Sequence, residues 1–198
     1  MPVESLEKRF VQRMRKLLVA LPYDMKVLFE AISDENLPMP ARQLAAGAAI
    51  YCLSPSDPIP DSTGLVGYCD DVVVVRVALR RFLELGGEDA QSYPDRFPDQ
   101  FAPLEGDLEL MRAYLGSSMD WILSRLDKTL LKARYKGKDA LTYIQEDEAC
   151  EFLYEEGQDF TTRYEIDDEA VGRLQSGKPV VEAFRRRMAE EARMQGQS

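Results

Sequence analysis

Four aspartates form the densest group of residues in this sequence that could do chemistry. Asp57, Asp61, Asp70 and Asp71 lie within fifteen residues, and residues 55–67 hold three prolines and two glycines. Carboxylate oxygens are the ligands that Mg²⁺, Mn²⁺ and Ca²⁺ prefer in proteins. The group is therefore a candidate metal site and, with a metal bound, a candidate centre for a metal-dependent hydrolase.

The same aspartates have an ordinary structural explanation. The first two stand beside prolines, where their side chains can form turns, and Asp70 or Asp71 stands where the following helix would take its N-cap, contributing ~1 kcal/mol each. Close like charges repel one another, and Arg76 or Arg80 could neutralise them. Structural capping is the favoured interpretation. We therefore predict no catalytic residue and no cofactor, with bound Mg²⁺, Mn²⁺ or Ca²⁺ as the alternative.

The sequence contains no histidine, which removes many common hydrolase designs. Neither a Ser-His-Asp triad, nor a Cys-His pair, nor a His-ligated zinc site can be built. Cys52, Cys69 and Cys150 are far apart and form no CxxC pair, so we expect buried reduced thiols and not a zinc or redox site. An enzyme is not the favoured interpretation.

Residues 42–85 predict a hairpin of two helices around a stiff loop. Residues 43–53 are apolar and rich in alanine, as in a helix buried on most sides, and Pro55 cannot continue that helix. After the proline-rich loop, residues 72–85 begin with four valines, which favour strands. The polar residues of that segment nevertheless recur at helical and not alternating spacing: Arg76, Arg80, Arg81 and Glu84.

The loop of this hairpin resembles the signature of the YkvA-like family, a bacterial domain of unknown function. The resemblance is carried by Leu53-Ser54-Pro55-x-Asp57-x-Ile59-Pro60-Asp61, and then by Gly67-Tyr68-x-Asp70-Asp71 ahead of an aliphatic helix. The chain differs from the signature at Ser62-Thr63-Gly64 and at Pro58. No activity is established for that family. The resemblance implies a fold element over about residues 42–85, and no function.

The expected fold class is mainly α (α+β), with a helical core over residues 1–136 and an acidic α+β section over residues 137–198 packed on that core. In the core we predict an amphipathic helix over residues 4–20, and a shorter helix that Pro22 opens. An irregular connector is expected over residues 88–106 and the longest helix over residues 107–134.

The C-terminal section changes character. Three short segments rich in β-branched and aromatic residues predict an antiparallel β-meander: residues 141–145, 150–154 and 160–166. A helical alternative stays open for residues 139–156. A terminal helix is expected from residue 180.

Charge is unevenly distributed along the chain. Residues 139–175 hold twelve acids and two arginines, a local balance equal to the net charge of −10 of the whole chain. Nucleic acid is not expected as a partner, because phosphate binding needs a basic surface. No apolar run approaches the roughly 20 residues that span a bilayer, and no signal-peptide pattern is present, so we expect a cytoplasmic protein.

Three functions from different classes remain. The favoured one is a non-enzymatic interaction or regulatory module in the cytosol that presents its acidic section to a protein partner. The second is a divalent-metal-binding protein or metal-dependent hydrolase that uses the four aspartates. The third is a peripheral membrane protein whose basic amphipathic helix, residues 4–20, lies on an anionic membrane surface.

Overall fold

The computed structural model describes residues 4–54 and 61–195, with side chains for all of these except residues 61–63 and 195. The described chain is mainly α-helical and contains one small two-stranded sheet. The expected mainly α class is confirmed. No helix within the described ranges is long and apolar enough to cross a membrane.

The first helix, α1, runs without interruption over Leu6–Ser33, although Pro22 lies inside it. A proline lacks the N–H that would bond the carbonyl four residues earlier, here the carbonyl of Leu18. The Tyr164 hydroxyl donates to that carbonyl oxygen at 2.7 Å. The predicted start of a second helix at Pro22 is therefore wrong, because a side chain from the distant C-terminal section supplies the missing donor.

The predicted hairpin lies at the centre of the core. It consists of α2 (Met39–Leu53) and α3 (Tyr68–Gly86), with a short 3-10 helix at Asp61–Val66 ahead of α3. Residues 44–52 of α2 are all buried, as its alanine content predicts, and so are the four valines of α3. At Gly47 an added Cβ would lie 2.4 Å from the carbonyl oxygen of Leu130, so glycine is needed for the close approach of the two backbones.

The segment after the hairpin is more regular than the sequence predicts. Short turns and helices follow in this order: a 3-10 turn (Gly87–Ala90), α4 (Tyr93–Arg96), α5 (Pro98–Phe101), α6 (Leu104–Leu115) and α7 (Ser117–Leu131). The predicted single helix over residues 107–134 is divided at Gly116, whose φ of 56° suits glycine. α6 packs on α1 and α3, while α7 packs on α2.

The C-terminal section is helical where the sequence predicts a meander. Two-residue strands β1 (Arg134–Tyr135) and β2 (Lys138–Asp139) pair antiparallel. Four helices follow them: α8 (Ala140–Gln145), α9 (Asp147–Arg163), α10 (Asp168–Val171) and α11 (Lys178–Gln195). The strands predicted at residues 141–145, 150–154 and 160–166 are wrong, and the helical alternative for residues 139–156 is right.

Caps and a helical burial pattern explain this outcome. Asp139 begins α8 by accepting a hydrogen bond from the backbone N–H of Thr142 at 3.0 Å. In α9 the buried positions lie four residues apart, which is a helical period: Ala149, Leu153 and Gly157. At Gly157 an added Cβ would lie 2.2 Å from the ring of Phe29, so this glycine lets α9 pack directly against α1 and does not form a turn.

Candidate functional site

Two of the four predicted aspartates can be placed in the structure. Asp70 and Asp71 lie in the first turn of α3, and both side chains are fully buried. The hydroxyl of Tyr51 on α2 donates to Asp70 Oδ2 at 2.8 Å, which ties the two helices of the hairpin together. The N-cap residue is Gly67, so the prediction that Asp70 or Asp71 caps the helix is wrong. Carboxylates in a first turn are still stabilised by the positive end of the helix dipole.

The other two predicted aspartates lie outside what the structure describes, Asp57 entirely and Asp61 by its side chain. Among the described side chains, no group of three or more cysteine, aspartate and glutamate residues could hold a metal ion. Metal binding by Asp57, Asp61, Asp70 and Asp71 together stays a prediction.

The thiol next to the aspartates is not activated. Cys69 Sγ donates to the carbonyl oxygen of Leu65 at 3.2 Å. Burial raises the pKa of the Cys69 thiol, and the negative charges of the two aspartates that follow it raise the pKa further. Because the thiolate is the reactive form, Cys69 is a structural thiol. Cys52 is also buried, and Cys150 is half-buried.

Four charged side chains, three of them buried and one partly exposed, form a cluster that joins α1, α3 and α6. We name it the ionic cluster: Arg13, Asp24, Arg76 and Asp107. Arg76, only 1% exposed, donates to Asp107 Oδ2 at 2.9 Å, to the carbonyl oxygen of Gln100 at 2.7 Å and to Asp24 Oδ2 at 3.5 Å. Arg13 donates to both carboxylate oxygens of Asp107. The charges of the two cations and the two carboxylates sum to zero. A buried charge without a partner would destabilise the fold by several kcal/mol.

Asp24 is the least well compensated member of the ionic cluster. Burial raises the pKa of its carboxyl group to about 6, and the attraction of Arg76 only partly opposes this. The 3.5 Å contact is long for a charged hydrogen bond, and Arg76 makes its shorter bonds to Asp107 and Gln100. The sequence predicts that Arg76 or Arg80 neutralises the hairpin aspartates. The ion pairs of Arg76 are instead with Asp24 and Asp107.

An open groove of about 850 Å³ runs between α1 and α9, and we name it the α1–α9 groove. Its lining is rich in aromatic and other apolar side chains: Tyr23, Phe29, Tyr154, Tyr164 and Ile166. Tyr23 is 65% exposed and Tyr154 is 50% exposed. The rings of Phe29 and Tyr154 meet edge to face, with centroids 5.7 Å apart. The volume lies within the roughly 300–1,000 Å³ of ligand-binding pockets.

Acidic side chains border this groove. Glu30, Asp167 and Asp168 line it, with Lys26 as the cation in the same lining. On α9 itself, exposed acids recur at four-residue steps: Asp147, Glu151, Glu155 and Asp159. At 100° per residue, the middle two lie about 60–100° around the helix from Tyr154, on the outer side of the groove.

Residues 41–76 match the family model described as "Protein of unknown function (DUF1232)". The match confirms the resemblance that the hairpin motif indicates, over less than a fifth of the chain. Neither the search of curated proteins nor that of solved structures finds a match for this chain.

The DUF1232 segment covers α2 except its first two residues, together with the first half of α3, and it ends at Arg76. It therefore contains one cation of the ionic cluster and neither of the carboxylates that balance it. The α1–α9 groove lies wholly outside the segment. The family match describes the centre of the core and says nothing about the groove.

Sequence reasoning missed both the ionic cluster and the groove. One signal for the cluster was visible, because Asp24 interrupts the apolar face of α1 between Leu21 and Met25. A carboxylate at a core position needs a buried cation, and Arg76 in a run of valines was the matching signal. The groove carried no comparable signal, because it depends on the contact of α1 with α9, a segment whose sequence predicts strands.

Proposed function

We propose that this protein is a non-enzymatic binding module whose α1–α9 groove takes a basic, amphipathic segment of a protein partner. The observation that carries the proposal is the groove itself, which is open, aromatic in its lining and acidic along its border. Such a groove suits recognition of one helix face, with anchor residues at helical spacing.

The aromatic lining supplies the apolar part of the binding energy. Tyr23 and Tyr154 expose half or more of their surfaces beside the buried ring of Phe29. Covering them removes apolar area from water, at about 25 cal/mol per Å². Tyrosine is one of the residue types that dominate the energy of protein interfaces. Partner side chains that fill this groove are therefore expected to be aliphatic or aromatic.

The acidic border gives the partner its charge. Acids spaced by four residues on one helix repel one another, at about 0.2–0.5 kcal/mol per pair, and a lysine or arginine of a partner relieves that repulsion. Complementary charge also raises the association rate and selects against acidic partners. A segment with an apolar face and flanking lysines or arginines fits both features of the groove.

The alternative of a membrane surface is less well supported by the packing of α1. The apolar side chains of residues 4–20 face the core, where Phe10, Met14, Leu17 and Leu18 are buried. Anchoring through that face would require α1 to leave the core of the protein. A protein partner at the α1–α9 groove requires no such change.

The test uses a fluorescently labelled amphipathic helical peptide of about four turns, built from leucine and lysine, and its counterpart built from leucine and glutamate. Fluorescence polarisation against the full chain should show saturable binding of the lysine peptide that weakens as salt is added, because salt screens the acidic border. The glutamate peptide should not bind. Equal binding of the two peptides would refute the assigned partner charge.

Variants locate the binding on the protein. Tyr154→Ala should weaken the lysine peptide by about tenfold, the effect of losing an aromatic anchor. Asp168→Asn should reduce the salt dependence, since Asp168 lines the groove. Leu131→Ala is the matched control, because Leu131 is an exposed apolar side chain on α7 outside the groove. A loss of affinity in the control as large as in Tyr154→Ala would place the peptide elsewhere.

A further inference from the structure

A second cavity, of about 260 Å³, opens among α2, α3, α7 and α11. Its floor consists of apolar side chains of the core, among them Ile122, Leu126 and Phe184. Three arginines and one carboxylate complete its charged lining: Arg125, Arg134, Arg187 and Glu191. We name this cavity the arginine pocket. It shares no lining residue with the α1–α9 groove.

The charge of the arginine pocket is opposite to that of the chain. Its lining has three cations and one carboxylate, whereas the whole chain carries a net charge of −10. A cleft lined by one sign of charge beside low-dielectric walls concentrates counter-ions of the other sign. The pocket is therefore a place on this acidic protein where anions are expected to concentrate.

One carboxylate of the chain already shows how the pocket holds an anion. Arg125 Nε donates to Glu191 Oε1 at 2.9 Å, and Trp121 Nε1 donates to Glu191 Oε2 at 2.9 Å. The guanidinium of Arg125 lies 5.2 Å from the centroid of the Trp121 ring. These bonds, first of all the one from Arg125, lower the pKa of Glu191, which keeps it ionised. Arg125 is therefore already paired with a carboxylate of the protein.

Among the described residues, the ion pairs of the other two arginines are long and exposed, and the charge of Arg187 also acts on Glu191. Arg187 lies 3.7 Å from Glu190, and Arg134 lies 3.9 Å from Asp139. Their side chains are 41% and 69% exposed, and ion pairs of this kind contribute little to stability. Either arginine can therefore exchange its partner for a ligand at small cost. The planar fork of arginine matches the oxygens of a carboxylate or a phosphate.

We infer that the arginine pocket binds a small amphiphilic anion, a carboxylate or a phosphate monoester. Arg187 and Arg134 hold the anionic group, and the apolar body of the ligand lies on Ile122, Leu126 and Phe184. The cavity is smaller than the roughly 300–1,000 Å³ of pockets for drug-sized molecules, so the ligand is correspondingly short. This site is independent of the proposed groove function.

The only tryptophan of the chain, Trp121, lines the arginine pocket and serves as a reporter. The full chain is titrated with hexanoate and with phenyl phosphate, and with the neutral compounds hexanamide and benzyl alcohol as controls. At least one anion should change the Trp121 emission saturably and raise the melting temperature, as a ligand of the native state does. The anion that binds more tightly distinguishes a carboxylate from a phosphate ligand.

Matched variants test whether the arginines carry the binding. Arg187→Gln should weaken the anion by about tenfold or more, the effect of losing a charged hydrogen bond. Arg186→Gln removes the same charge from an exposed neighbour on α11 outside the lining and should leave the affinity unchanged. Arg187→Lys, which keeps the cation without the fork, should bind with intermediate affinity. The melting temperature without ligand checks that each variant is folded.

Three results would overturn the inference. The first is the absence of a saturable response to both anions, and the second is equal binding of the neutral compounds. The third is an equal loss of affinity in Arg187→Gln and Arg186→Gln, which would reveal a general effect of net charge and no defined pocket.

Discussion

Replacing Asp24 with asparagine tests whether burial or ion pairing dominates in the ionic cluster. Burial raises the pKa of Asp24 from 3.8 to about 6 although Arg76 lies beside it. Asparagine has nearly the same shape as protonated aspartate and still offers an acceptor oxygen to Arg76. The variant therefore represents the neutral form of Asp24 at every pH.

The sign of the expected effect follows from proton uptake. Between about pH 4 and pH 6 the native state holds a proton on Asp24 that the unfolded state has lost, so wild-type stability falls as pH rises through this window. A shift of about two pKa units corresponds to about 3 kcal/mol. The free energy of unfolding of Asp24→Asn, minus that of the wild type, should thus increase by about 3 kcal/mol between pH 4 and pH 7 and then level off.

Urea denaturation at closely spaced pH values measures this difference, and NMR titration of the Asp24 carboxyl carbon should give a midpoint near pH 6. Glu84→Gln is an informative contrast. A hydrogen bond from Arg81 and the charge of Arg80 lower the pKa of Glu84, so this variant should lose stability relative to the wild type as pH rises through the normal range of a glutamate. A stability difference for Asp24→Asn that is flat, or that falls with pH, would show that Arg76 outweighs burial and would refute the reasoning.

Three further predictions concern single contacts. Tyr164→Phe removes the donor that satisfies the Leu18 carbonyl and should cost about 1–3 kcal/mol in urea denaturation; a loss near zero would mean that α1 tolerates its proline unaided. Gly157→Ala should gain about 1 kcal/mol from helix propensity alone, but its Cβ overlaps the ring of Phe29, so we expect a net loss of about 1–3 kcal/mol. Asp70→Asn should lower the melting temperature equally with and without millimolar Mg²⁺, Mn²⁺ or Ca²⁺, and a metal-dependent rise confined to the wild type would instead support the aspartate metal site.

The helical core was predictable where the sequence of a segment determines the structure of that segment by itself. The alanine-rich α2 and the polar spacing within α3 each act locally, and the hairpin they predict is present. The errors arose where a distant contact decides the local structure. Pro22 stays inside α1 because Tyr164 reaches the Leu18 carbonyl, and no pattern within α1 reveals that partner.

The strand prediction for the C-terminal section was wrong for a related reason. Phe152, Tyr154 and Phe160 favour strands by propensity, yet they lie on α9, where the buried positions follow a helical period. Gly157 is a common turn residue by composition, but here it is the point at which α9 meets Phe29. Tertiary packing therefore outweighed the strand propensity of these residues. The groove that this packing creates could not be predicted from the sequence.

The ionic cluster shows that the DUF1232 segment depends on the rest of this chain. The segment ends at Arg76, whose guanidinium is almost fully buried, and its two carboxylate partners come from α1 and α6. A buried cation without its partners costs about 3–5 kcal/mol, a large fraction of the stability of a typical domain. In this protein α1 and α6 are therefore part of the unit that makes Arg76 acceptable in a core of valines. Since α1 also forms one wall of the α1–α9 groove, a helix that helps to neutralise Arg76 of the DUF1232 segment also builds the proposed binding surface.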